Sequence, residues 1–133
     1  MTERAEQVRT CTFIAYILVT IKKSKQQYNC PVEVTLDVLA GKWKAMILWL
    51  LRDGALRFGV LRRKIPAVSE RMLSQQLREM EREGIVQRRV FAEVPPRVEY
   101  SLTAYGQTLR PITELMCQWG KAHLRRHEAQ RAG

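Results

Sequence analysis

Pro66 and Ser69 stand three positions apart between two short segments of helical periodicity, and this spacing constrains the fold more than any other feature of the chain. Upstream, "FGVLRRKIP" places Phe58, Leu61 and Ile65 on one apolar edge, and Pro66 ends that helix. Downstream, Ser69 offers an N-cap, because its hydroxyl can accept from a first-turn N–H that lacks an intrahelical partner. Two short helices joined by so tight a turn make a helix-turn-helix arrangement.

The second of these helices, "SERMLSQQLREMEREG" (69–84), sorts its side chains by sign. At about 100° per residue, Leu73, Leu77 and Met80 share one side, flanked by Met72 and Gln76. Arg71, Gln75, Arg78 and Arg82 share the opposite side. The acids Glu70, Glu79, Glu81 and Glu83 fall on the flanks or near the apolar side. A merely solvated helix intersperses its signs and favours i, i+4 pairs of opposite charge. A nearly acid-free stripe of Ser, Gln and Arg instead carries the donors that reach base edges and phosphates. A solvated face remains the alternative, but the stripe points at DNA.

"GIVQRRVFAEVPPRVEYSL" follows, with alternation on both sides of a Pro-Pro turn. Val86, Val90, Val98, Tyr100 and Leu102 supply β-prone positions, and Arg88, Arg89 and Arg97 supply charge. The segment predicts a two-stranded hairpin with its tip at "EVPP". Directly after a recognition helix such a hairpin is a wing, with Arg97 and Arg88 near flanking backbone or minor groove. The alternative is a capping ribbon with solvated arginines.

The flanking segments are helical. "CPVEVTLDVLAG" has Pro31 at a first helical position and Glu33 in the first turn, with Gly41 as a stop. "KWKAMILWLLRDG" places Trp43, Met46, Ile47 and Leu50 at i, i+3, i+4 and i+7, predicting a buried helix closed by Asp53-Gly54. A short extended piece at "ALRF" comes next. "TAYGQTLRPITELMCQWGKAHLRRHE" is a last helical element, with Pro111 bending it or lying in its first turn. Its stripe of Leu109, Ile112, Leu115, Met116 and Trp119 is more apolar than one small winged domain needs. Either these residues serve an intramolecular core or they form a homodimer interface. Two-fold symmetry would let two recognition helices meet successive major grooves about 34–36 Å apart. The expected fold class is mainly α with a small β-hairpin wing, a winged helix-turn-helix dimerising through its terminal helices. The expected organisation is an arm over 1–25, a winged domain with its dimerisation helix over 26–128, and a tail over 129–133.

Charge supports a polyanionic partner: 23 Lys and Arg against 13 Asp and Glu leave +10. Such a surplus suits nucleic acid or an anionic membrane surface. "CTFIAYILVTI" (11–21) is apolar but shorter than the ~20 residues a bilayer needs. It also lacks the basic lead-in and cleavage site of a signal peptide. The segment reads as an arm packing on a partner subunit, as a start codon assigned too early, or as a membrane-surface segment beside Lys22, Lys23 and Lys25. No stable membrane association is expected. Cys11, Cys30 and Cys117 are odd in number and widely spaced, against a disulfide framework or a zinc site and for a reducing cytoplasm. His123 and His127, one turn apart, read as a solvated helix end rather than a metal pair. No metal, cofactor or catalytic motif is expected, and the chain does not read as an enzyme.

Taken in order, "CPVEVTLDVLAGKWKAMILWLL", "RFGVLRRKIP", "SERMLSQQLREMEREGIVQRRV" and "EVPPRVEYSLTAYG" resemble the HxlR-type transcriptional regulators, relatives of the MarR winged-helix group, over roughly residues 30–120. The resemblance implies a homodimeric regulator acting on a nearby promoter and dimerising through its terminal helices. In some members the cysteine of the Cys-Pro motif senses oxidants or electrophiles, which gives Cys30 a possible sensor role beside that of a core thiol. A helix N-terminus favours an anionic sulfur at such a position. Cys117 reads as packing, and Cys11 has no assignment.

These readings assign Arg71, Ser74, Gln75 and Arg78 to the major groove and Ser69 to the cap and a phosphate. Arg62, Lys64, Arg88 and Arg97 are assigned to the DNA backbone. The expected function is a sequence-specific regulator of double-stranded DNA, acting as a repressor. The rival is a winged-helix module whose basic face binds an acidic protein.

Overall fold

The computed structural model describes residues 28–133, and the chain divides between Ala40 and Gly41 into two units. The 1–25 arm, the 11–21 run, Cys11 and the lysines at 22, 23 and 25 lie outside the described residues. In the first unit, helix α1 (Pro31–Val38) begins after Cys30, its extended N-cap. Glu33 reaches back and accepts from the Asn29 N–H at 2.7 Å, which places a carboxylate at the positive end of the helix.

From Gly41 onward the order is α2 (Trp43–Leu51), β1 (Leu56–Arg57), α3 (Phe58–Lys64), α4 (Glu70–Arg82), β2 (Val86–Phe91), β3 (Arg97–Leu102), α5 (Ala104–Gln107) and α6 (Arg110–Ala132). The sheet is antiparallel in the order β1-β3-β2. The predicted hairpin is present, with Arg88 opposite Tyr100 and Phe91 opposite Arg97. The expected extended piece at "ALRF" adds β1 against β3, pairing Leu56 with Tyr100, so the hairpin belongs to a three-stranded sheet.

Ile47, Leu51, Leu61, Ile65, Leu73, Leu77, Met80, Ile85 and Val86 form the fully buried core. Full burial of one such side chain stabilises by about 1.5–3 kcal/mol. The stripe of α2 is shifted from expectation. Its buried members are Lys44, Ile47, Leu48 and Leu51, whereas Trp43 and Leu50 are half-buried and Met46 is exposed. "WKAMILWLL" is apolar nearly all round, so periodicity alone cannot choose its inward face. The last helical element is also divided. A short α5, capped by Thr103, ends at Gln107, and α6 starts afresh at Arg110 with Pro111 in its first turn, where a missing N–H costs nothing.

Gly84 turns the chain from α4 into the wing. Its φ of +74° is one that side-chain-bearing residues avoid. Ile85 N–H donates to the Met80 carbonyl at 3.0 Å and Gly84 N–H to that of Glu81 at 3.0 Å, closing the helix end in the usual glycine-terminated manner.

Candidate nucleic-acid interface

Helix α4 buries Leu73, Leu77 and Met80 and exposes Arg71, Gln75, Arg78 and Arg82, with Ser74 half-buried between them. Its first turn is fixed by Ser69, whose Oγ accepts from the Met72 N–H at 3.1 Å. Ser69→Ala should lower stability by about 1 kcal/mol in thermal unfolding, the usual value of a lost N-cap.

The stripe's members differ in what already engages them. Arg71 has no ion-pair partner among the described residues. The Arg78 Nε donates to the Ser74 carbonyl at 3.4 Å, leaving the rest of the guanidinium exposed. Gln75 Nε2 donates weakly, at 3.4 Å, to Glu79. Glu79 in turn meets the buried Lys44 Nζ at 3.0 Å. The Lys44 hydrogen bond is the leading cause holding the Glu79 carboxyl below its ordinary range, and the charge of Lys44 and the Gln75 bond act in the same direction. Lys44 therefore ties the flank of α4 to α2, a role the sequence reading missed. Its signal was a lysine three and four positions before the buried Ile47 and Leu48.

On α3, Arg62 is held by Glu70 at 3.0 Å, while Lys64 is exposed at the helix end. The two wing arginines grouped from sequence lie on opposite faces, because cross-strand partners share a face. Arg88 shares the face of Val86, Tyr100 and Leu102 and is exposed. Arg97 lies on the other face, 4.0 Å over the Phe91 ring and 3.4 Å from Glu93. Its Nε is 3.6 Å from Glu99, within ion-pair range but too long for a hydrogen bond. Arg89, also over Phe91 at 4.8 Å, joins that outer cluster.

Away from this face, Ile112, Leu115, Met116 and Trp119 are exposed and Leu109 is half-buried. Cys30 and Cys117 are half-buried. His123 stacks on Trp119 at 4.8 Å, and its Nε2 lies 3.0 Å from that of His127. Among the described residues no three His, Cys, Asp or Glu side chains gather as a metal site, and no helix is long and apolar enough to cross a membrane.

A capped helix-turn-helix, a hairpin beside it and a cationic outer helix face define a winged helix-turn-helix protein of the DNA-binding class. Residues 38–128 match the HxlR-like helix-turn-helix family, and the chain belongs to that family of transcriptional regulators. It is 47% identical over 97 residues to an HTH-type transcriptional regulator of Methanothermobacter thermautotrophicus, covering 73% of this chain and 74% of the relative. The identity to the regulator YybR of Bacillus subtilis is 52% over 95 residues, 71% of this chain and 76% of the relative. Among solved structures, the redox regulator HypR in its reduced form superposes with a TM-score of 0.71 at 49% identity, covering 74% of this chain and 98% of that one. Its oxidised form gives 0.68 at 53% identity, covering 70% and 96%.

Proposed function

We propose that the protein is a cytoplasmic homodimeric repressor that reads an operator in double-stranded DNA through α4. The carrying observation is the outward row of Arg71, Gln75 and Arg78 opposite the buried Leu73, Leu77 and Met80. Arg71 has the free fork that suits guanine or phosphate, and Gln75 is the amide that suits adenine. Ser74 lies between them, and Ser69 both caps the helix and lies near phosphate. Arg62 and Lys64 position the first helix on the DNA backbone, and the wing adds Arg88 and Arg97. Arg97 contributes less than Arg88, since Glu93, Glu99 and Phe91 already engage its guanidinium. The exposed row of Ile112, Leu115, Met116 and Trp119, continued to Leu109, supplies the dimer contact. Cys30 is the sensor thiol of this reading, supported by its place at a helix start and by the likeness to a redox regulator solved in two oxidation forms.

The test is a panel of operator variants. Gln75→Ala should flatten the preference at one base pair by about 1–3 kcal/mol. Arg88→Ala should weaken binding to every variant alike and reduce the salt slope by about one. Unaltered discrimination by Gln75→Ala would remove α4 as the reading element.

A further inference from the structure

His123 and His127 are the only histidines of the chain and stand one turn apart on α6. An i, i+4 spacing puts two side chains on one helix face without making their ring atoms meet. Here they do meet: the two Nε2 atoms lie 3.0 Å apart, and the His127 ring stands edge-on to that of His123 at 79°. The His123 ring is also held by Trp119, which stacks on it at 4.8 Å and 14°. Both histidines are exposed, one and two turns beyond Trp119, and neither forms an ion pair among the described residues.

We infer that this pair chelates one divalent late first-row metal ion of tetragonal preference, the Ni²⁺ or Cu²⁺ class, through both Nε2 atoms, with water completing the coordination. With metal–imidazole bonds of ~2.0–2.1 Å, two nitrogens 3.0 Å apart subtend about 94° at the metal. That is the corner of a square-planar or tetragonal site, whereas a tetrahedral Zn²⁺ would need about 3.3–3.4 Å between them. The contact between the rings uses one Nε2–H. On binding, that proton moves to Nδ1 through water, so both rings stay neutral and both Nε2 lone pairs face the ion. Stacking on Trp119 reduces the freedom that His123 gives up. Arg126 and Arg131 flank the pair and oppose a dication, a repulsion that added salt weakens.

The probe is Ni²⁺ alone, titrated by calorimetry into the untagged full-length protein, because Cu²⁺ also oxidises thiols and the chain has three. One ion should bind per chain and quench part of the tryptophan emission, since Trp119 adjoins the site. His123→Gln and His127→Gln should each weaken Ni²⁺ roughly ten- to a hundredfold, the loss expected when one of two tethered ligands is removed. Both positions are exposed, so the helical circular dichroism of these variants should match that of the parent chain. Trp119→Phe should remove the quenching and keep the affinity, and Zn²⁺ should bind more weakly than Ni²⁺. No binding, an affinity indifferent to both histidine substitutions, or binding lost on alkylating the thiols while both histidines remain overturns the site. Quenching that survives Trp119→Phe would place the ion elsewhere. One ion per two chains would overturn the single-chain chelate in favour of a site shared by two copies, and tighter Zn²⁺ than Ni²⁺ would overturn the tetragonal geometry.

Discussion

Gly106→Ala is expected to cost about 3 kcal/mol or more in urea unfolding, at the upper end of what overpacking usually does. A Cβ built on Gly106 would stand 2.1 Å from the Ile85 carbonyl oxygen and 3.0 Å from its carbon. Both are backbone atoms and cannot rotate away. The same carbonyl accepts from the Thr103 N–H at 3.0 Å, while the Thr103 hydroxyl donates to Gly84 at 2.5 Å and accepts from the Gly106 N–H at 2.9 Å. Moving Ile85 aside therefore disturbs the corner where α4 passes into the wing. With a total stability of about 5–15 kcal/mol, a domain of this kind loses a large share of its margin. Gly59→Ala is the matched control. Nothing lies within 4 Å of its Cβ position, and it sits in α3 at an exposed site. Alanine there should stabilise by about 0.5–1 kcal/mol. Equal, small effects at the two positions would show that the Gly106 corner is not close-packed.

The second large effect is an asymmetry in the Lys44–Glu79 pair. Glu79→Ala should cost about 2 kcal/mol, below the 3–5 kcal/mol of a fully buried pair because one partner is partly wet. The Lys44 side chain is only 7% exposed and the Glu79 side chain 28%. Removing the carboxylate strands an ammonium in the core. Removing the ammonium leaves a carboxylate that reaches water, so Lys44→Met should cost less, and the double change to apolar residues less than Glu79→Ala alone. Because the folded state holds Glu79 below its ordinary value of 4.5, the pair's contribution is complete above that pH and fades as pH falls beneath it. Lys44→Met should therefore show a shallower acid loss of stability. If the two single variants cost the same, the burial asymmetry has no energetic weight.

These two features are among those least visible in the sequence. Helix α4 was legible because its apolar and basic residues separate cleanly at helical spacing and because Ser69 marks its start. The hairpin was legible because alternation runs up to Pro95 and Pro96 and resumes after them. The inward face of α2 was not, since every turn of "WKAMILWLL" offers apolar side chains. What turns Lys44 inward is Glu79, thirty-five residues away and on another helix. Strand β1 has two residues, too few for any period, and exists through pairing with β3. The tight approach of Gly106 to Ile85 likewise depends on a distant chain segment. In the candidate site, residue types and the stripe were readable from spacing. The engagement of Arg62 by Glu70, and the separation of Arg88 and Arg97 to opposite faces, emerged only from register and packing.

The central claim, that α4 reads DNA sequence, is met most directly by fluorescence anisotropy on the duplex upstream of the protein's own gene. A scrambled duplex runs beside it across a salt series, with and without a mild thiol oxidant. The expected result is tight binding to the native duplex alone, weakened by Arg71→Ala. Loss on oxidation that Cys30→Ser abolishes would assign the sensor. Equal, salt-labile binding to both duplexes, indifferent to Arg71→Ala, would contradict the claim and reduce the interaction to a chain of +10 charge meeting a polyanion.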